Sequence, residues 1–338
     1  MRCHTLLLCL TLVSSCASLM VQPDAAGRTD AVPVAHDRRG NGYLYVSPQG
    51  SESVFGVATQ TRSHDLVASD VAGVDFVDLD SRGDSVYYAV RYSDGAATCL
   101  VYGYAYNDEL ADHTDCSSIT SDPSVRLSTN GEVVGDRLYF KTESPELDWE
   151  QRSLIRFMSL RDGSVDSTTW RGSKLSNALG RLSFIDSELA SPRFGDLYVE
   201  GLGHFELSDV HPNGTLYSSV TFAGDADGVA FSVLTYRDGV HTVSILEPNA
   251  DGGLDVVHSW DSGGYFYVYD ALRCGDTYKV AGSDSSMPAN AALITLGSPT
   301  SVRTWAGFEI ARLEYGPRRR LHLTNTATLR ASALDLDC

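Results

Sequence analysis

The 338-residue chain is poor in basic residues, poor in methionine, and free of the short signatures that mark common catalytic sites. Lys and Arg number 26 against 44 Asp and Glu, a formal charge of −18 at pH 7. Such a field repels phosphate backbones and gains nothing from anionic lipid headgroups, so no nucleic acid partner is expected. No Gly-x-Ser-x-Gly elbow, His-Glu-x-x-His pair, P-loop or Rossmann glycine pattern occurs, which removes the enzymes legible from a linear motif. Cys-x-x-Cys is missing as well, leaving zinc ribbons and thioredoxin-like redox chemistry unsupported. Helical periodicity nowhere lasts. Val, Thr, Ser and 17 Tyr dominate instead, the residue mix of strands.

The apolar run Thr5 to Val13 (TLLLCLTLV) follows the basic start Met1-Arg2 and is far too short to span a bilayer. Small residues come next (Ser14, Ser15, Cys16, Ala17), so residues 1–15 read as a secretory signal peptide. Val13-Ser14-Ser15-Cys16 resembles the bacterial lipobox. That resemblance implies cleavage before Cys16 and acylation of it, and several acyl chains hold a protein on a membrane where one is marginal. Ala17 and Ser18 stand where Asp would retain a lipoprotein in the inner membrane, so the resemblance implies the outer membrane. The alternative is a plain signal peptide cut near Ala17 and a secreted protein. Residues 16–41, small and polar with Pro23 and Pro33, read as a flexible tether in which Ala31 to Ala35 is a candidate edge strand.

From Gly42 to Cys338 one grammar recurs. The stretch Val133 to Trp170 states it most fully: a Gly135-Asp136 turn, the strand Leu138-Tyr139-Phe140, a second apolar run around Ile155 and Met158, the turn Asp162-Gly163, and a Thr-rich run ending in Trp170. Turn anchors at Gly42, Gly83, Gly135, Gly195, Gly228, Gly275 and Gly316 average near the repeat length of propeller blades, and Trp170, Trp260 and Trp305 each end a late strand, a repeated packing position. A small sheet of this kind cannot bury its faces alone and needs like neighbours. The expected fold is therefore an all-β propeller over 42–338 with seven blades, or six if the crowded segment between Gly195 and Gly228 is less than a whole blade. Two β-sandwich domains are the competing architecture, but they give no reason to reuse Gly-Asp and Asp-Gly turns. Gly-Asp-x-Leu-Tyr, an apolar strand, then Asp-Gly is similar to the pattern of bacterial TolB-like propellers. The resemblance implies the fold and protein partners, and transfers no functional residue.

Four cysteines remain in the mature domain: Cys99, Cys116, Cys274 and Cys338. Three pairings are open; the short-loop choice is Cys99 with Cys116, leaving Cys274 with Cys338 as a clamp on the chain's end. Asp78, Asp80 and Asp84, and Asp225 with Asp227, offer oxygen at spacings that suit Ca²⁺, without the closing bidentate Glu of a full loop. The same positions coincide with turns, where Asp bonds its own backbone, so the expectation is no cofactor with calcium as the exception. His204 and His211 read as strand-end histidines rather than metal ligands. Arg82-Gly83-Asp84, Arg318-Arg319-Arg320 and Asn213-Gly214-Thr215 read as turns. The functional expectation is a monomeric, membrane-anchored module binding a protein or a glycan. The alternative is an exported polysaccharide hydrolase or lyase with carboxylates gathered from several blades.

Overall fold

The computed structural model describes residues 32–338 apart from 38, 40, 50–51, 60–61, 70–73, 95–96, 107–108, 117–130, 142–147, 209, 212–214, 226–227, 285–289, 315–318 and 326–330. The leader, Cys16 and the tether up to residue 31 lie outside the described residues, as do Asp227, Gly316, Arg318 and the Asn213-Gly214 turn. Within them the chain is nearly all β, with 26 strands and one five-residue helix, α1 (Trp149–Ser153).

Neighbouring strands pair antiparallel in chain order. The first sheet holds β1 (Val32–His36), β2 (Gly42–Gln49), β3 (Glu52–Thr59) and β4 (Ser63–Ser69), so the stretch read as tether supplies its first strand. The second holds β5 (Val74–Arg82), β6 (Ser85–Asp94), β7 (Ala97–Tyr106) and β8 (Glu109–Asp115). Next come β9 (Glu132–Val134), β10 (Arg137–Lys141), β11 (Leu154–Ser159) and the 13-residue β12 (Val165–Asn177). The front half of β12 pairs with β11 and its back half with β13 (Leu182–Asp186), which continues to β14 (Leu197–Val199) and β15 (Gly203–Phe205). One strand thus closes one group and opens the next. Gly172 marks the changeover, because a Cβ there would stand 2.3 Å from the Phe184 ring and 2.9 Å from Ile155.

A further four-stranded sheet follows: β16 (Leu216–Phe222), β17 (Phe231–Arg237), β18 (Val240–Pro248) and β19 (Leu254–Asp261). The last sheet joins β20 (Phe266–Cys274), β21 (Thr277–Asp284), β22 (Asn290–Leu296) and β23 (Ser301–Ala306) to β24 (Phe308–Glu314), β25 (Arg320–Asn325) and β26 (Ala331–Asp335), through one parallel bridge between Asn290 and Phe308. The first strands of successive groups lie side by side in the order β1, β5, β9, β12, β16, β20, β24, and β24 touches β1 again.

The larger apolar clusters lie between groups, and only a small one, Tyr43, Tyr45 and Ala58, lies within a single sheet among the described residues. Leu44, Phe55 and Val57 of the first sheet share a core with Leu79, Tyr88 and Val101 of the second, and Leu234, Val243 and Ile245 pack on Phe266, Val280 and Ile294. This is the burial that a lone four-stranded sheet lacks. Outer strands such as β8, β19 and β23 are mostly exposed.

The repeated Gly-Asp dipeptide has a clear local cause. Gly83, Gly135 and Gly275 begin two-residue hairpins between first and second strands, with φ of 63°, 58° and 60°, the positive value that a type II′ turn requires at its first central position. Gly195 differs: it sits between β13 and β14, the second and third strands of its group, while Gly180 (φ 86°) occupies the corresponding first turn. The segment that looked crowded in sequence is therefore not a short repeat, and with Gly180 in place the anchors fall roughly 40–50 residues apart. Trp170, Trp260 and Trp305 all lie on the fourth strand of their groups, Trp260 against Phe266 and Trp170 against Phe184 and Tyr198. Both disulfides, Cys99–Cys116 and Cys274–Cys338, follow the short-loop pairing.

Candidate functional site

Polar contacts between groups gather towards the finishes of the first strands β5, β12 and β24, and a groove lies by the starts of β16 and β20; the two regions differ in chemistry.

In the first region polar side chains hold neighbouring groups together. Val133 N–H donates to Asp78 Oδ2 (2.6 Å) and Gly135 N–H to Asp80 Oδ2 (2.8 Å), tying β5 to β9. Asp270 repeats the device, accepting Leu313 N–H of β24 (3.2 Å) from its place on β20. Arg39 donates to the carbonyls of Ser81 (2.7 Å) and Leu179 (3.0 Å), linking three separate groups. Asn177 donates to Val133 O (2.9 Å). Burial pushes Asp80 up to about 6; nearby Asp37 adds to the effect, and the Gly135 amide, Asn177 and Arg39 offset it.

Several of these groups are the exceptional calcium candidates of the sequence, at positions expected instead to serve as turns. Asp78 and Asp80 spend oxygens on backbone amides of the next group, Asp84 is exposed on its hairpin, and Asp225 accepts Gly228 N–H (3.1 Å) and faces Arg319 (3.7 Å). Asp227 lies outside the described residues. Among the described residues no three His, Cys, Asp or Glu side chains gather as a metal site would require. The arginine run is engaged in the same framework: Arg319 donates to Arg273 O (2.8 Å) and Arg320 to Asp335 (2.9 Å). His204 and His211 do not pair with each other but pack on different tyrosines, Tyr198 at 4.9 Å and Tyr217 at 5.6 Å between ring centroids. Burial lowers the pKa of His211.

By the starts of β16 and β20 lies a groove of about 450 Å³, walled by Ser218, Ser219, Leu234, Tyr236, His241 and the run 265–268. Local sequence builds it. Asp238 (φ 52°) and Gly239 (φ 87°) form the tight turn that sets Tyr236 and His241 opposite each other across β17 and β18. Ser262 Oγ donates to the His241 (2.9 Å) carbonyl, securing the loop that carries Tyr265. Tyr236 and Tyr265 stack nearly parallel (centroids 6.0 Å, 16°), and His241 meets both rings edge-on at 5.0 and 5.1 Å. His241 Nδ1 lies against the Phe266 backbone, 2.8 Å from its N–H and 3.1 Å from its carbonyl oxygen, which fixes the ring in place.

On β20, Phe266 and Val268 enter the core while Tyr267 and Tyr269, and Tyr265 just before the strand, alternate with them in sequence and stay 54%, 50% and 61% exposed. Three half-exposed tyrosines in five residues form an unusual surface for a lone domain. None was singled out from the sequence. The alternation YFYVY was the available signal; that Tyr236 and His241 lie beside it was not readable.

The chain matches no protein-family profile and no curated protein. Among solved structures, an oligogalacturonate lyase from Vibrio parahaemolyticus superposes with a TM-score of 0.50 at 9% identity, over 91% of this chain and 92% of the lyase. The β-propeller domain of the Trilobed protease from Pyrococcus furiosus gives 0.48 at 11% identity, covering 81% of this chain and 83% of that one. The WD40 domain of Toxoplasma gondii coronin gives 0.46 at 9%, covering 93% and 81%. At these identities the likeness bears on the fold alone: the chain is nearly all β, and propeller proteins are among its structural neighbours.

Proposed function

We propose that the chain is an exported binding module, a seven-bladed monomeric propeller held to the outer membrane through lipid on Cys16, which docks a protein or glycan partner at its tyrosine-rich end. The groove of Tyr236, His241 and Tyr265 to Val268 carries this reading: it is concave, aromatic and exposed, and no carboxylate occurs among its described lining residues. Support for seven blades comes from seven strand groups whose first strands follow one another back to the start. The lipobox-like Val13 to Cys16 supports the anchor and the compartment.

The hydrolase or lyase alternative requires two carboxylates about 5–10 Å apart beside the aromatics. The described lining of this groove holds hydroxyl, aromatic and apolar side chains and no carboxylate, which supports the binding reading over it. A crosslinked pull-down from detergent-solubilised envelopes, run with the native chain and Tyr267→Ala in parallel, tests the module. A partner, protein or glycan, retained by the first and lost by the second is expected; none in either sinks the proposal. Intact mass of the mature N-terminus tests the anchor separately: an acylated Cys16 is expected, and an unmodified start after Ala17 refutes it.

A further inference from the structure

The groove is uncharged. Its described lining includes no Asp, Glu, Lys or Arg. A charged ligand would leave water for a wall without a counter-charge, on a chain whose own formal charge of −18 repels anions. A neutral ligand meets neither cost. The surface asks for flat apolar faces, because Tyr265, just before β20, and Tyr267, on it, present ring surface at 61% and 54% exposure. Hydrogen-bonding capacity surrounds those rings: the tyrosine hydroxyls, the His241 imidazole, and the Ser219 hydroxyl, which has no hydrogen-bond partner among the described residues. A hexose ring matches both demands, with a C–H face to lie on an aromatic and a rim of hydroxyls that donate and accept.

We infer that this groove binds a neutral hexose oligosaccharide, its sugar faces stacked on Tyr265 and Tyr267 and its hydroxyls bonded to Ser219, His241 and the tyrosine hydroxyls. The inference rests on the binding-module reading above and selects glycan over protein as the occupant. Uronate polymers are excluded as ligands by the same charge argument.

Calorimetric titration of the full mature chain with cellohexaose, laminarihexaose, maltohexaose and hexagalacturonate tests it, with tyrosine fluorescence as the second readout. At least one neutral hexasaccharide binds with a dissociation constant between roughly micromolar and low millimolar. Tyr267→Ala and, independently, Tyr265→Ala weaken it about tenfold or more, while Tyr267→Phe stays within about threefold because the ring does the stacking. Both alanine positions are more than half exposed, so each variant is expected to melt with the native chain. No neutral binding at ~10 mM ligand, affinity unchanged in both alanine variants, or preference for hexagalacturonate overturns the inference. If the pull-down still yields a Tyr267-dependent protein while no saccharide binds, the sugar assignment falls and the module stands. If neither binds, both fall.

Discussion

Asp80 shows how one carboxylate can be read two ways. In sequence it sits two residues from Asp78 near a turn, a spacing that suggests an oxygen-ligated cation. In the fold it is 3% exposed and receives the Gly135 amide from the neighbouring group. Burial raises its pKa from 3.8 to about 6, so the folded state holds its proton more tightly than the unfolded chain does. Stability from this group is therefore fully present below about pH 4 and is lost as pH climbs through about 6, by an amount on the order of 3 kcal/mol. Asp80→Asn keeps an oxygen for Gly135 N–H and removes the titration. Its melting temperature is expected to match or exceed that of the native chain at pH 7.5, with the slope between pH 4 and 6 reduced. Asp80→Ala leaves the amide without a partner and is expected to cost about 1–3 kcal/mol below about pH 4, a cost that shrinks as pH climbs through about 6 because the native chain then carries a buried charge that the variant lacks. Thermal melts across pH 4–8 decide the matter; an Asn variant that keeps the native slope would show that another group carries it.

Among elements, β12 has the most demanding role, since its two halves belong to different groups and Gly172 joins them. A methyl group at Gly172 meets the Phe184 ring, whereas one at Gly83 meets open space and only the cost of a positive φ. Gly172→Ala is expected to lose about 1–3 kcal/mol by overpacking, and Gly83→Ala about 1 kcal/mol by backbone strain. Urea unfolding of the pair tests this ordering, and a Gly172 variant no worse than the Gly83 variant contradicts the two-group role. The same strand explains a weakness in reading turns from dipeptides. Gly-Asp at 195–196 has the residues of a first-to-second strand turn but lies one connection later, and the true first turn is Leu179-Gly180. A dipeptide reports local backbone preference; which strands it joins depends on pairing partners outside the window.

For the whole molecule the question is how the ends are held. Strand β1 lies against β24, and Cys274–Cys338 ties the last residue to the end of β20 across a 64-residue separation. On the chain-entropy model that link restrains the unfolded state by about 4 kcal/mol, and Cys99–Cys116, 17 residues apart, by about 3 kcal/mol. Replacing Cys274 and Cys338 together by Ser is expected to lower the denaturation midpoint more than replacing Cys99 and Cys116 together. Guanidinium titrations of the two double variants measure it, and the reverse order would mean that the chain's end is already secured by β1 and β24 alone.

Sequence by itself determined the strand-rich class, the repeat, the turn chemistry and the two sets of cysteines. Those depend on residue type and on spacing within one or two strands, where glycine's freedom at positive φ and the period-two pattern act locally. Only the tertiary structure decided that Asp78, Asp80 and Asp270 clamp neighbouring groups, and that Tyr236 and His241 stand beside Tyr265 and Tyr267. Each of those contacts joins residues from separate strand groups or far along the chain, and packing between sheets, which no local pattern encodes, brings them together.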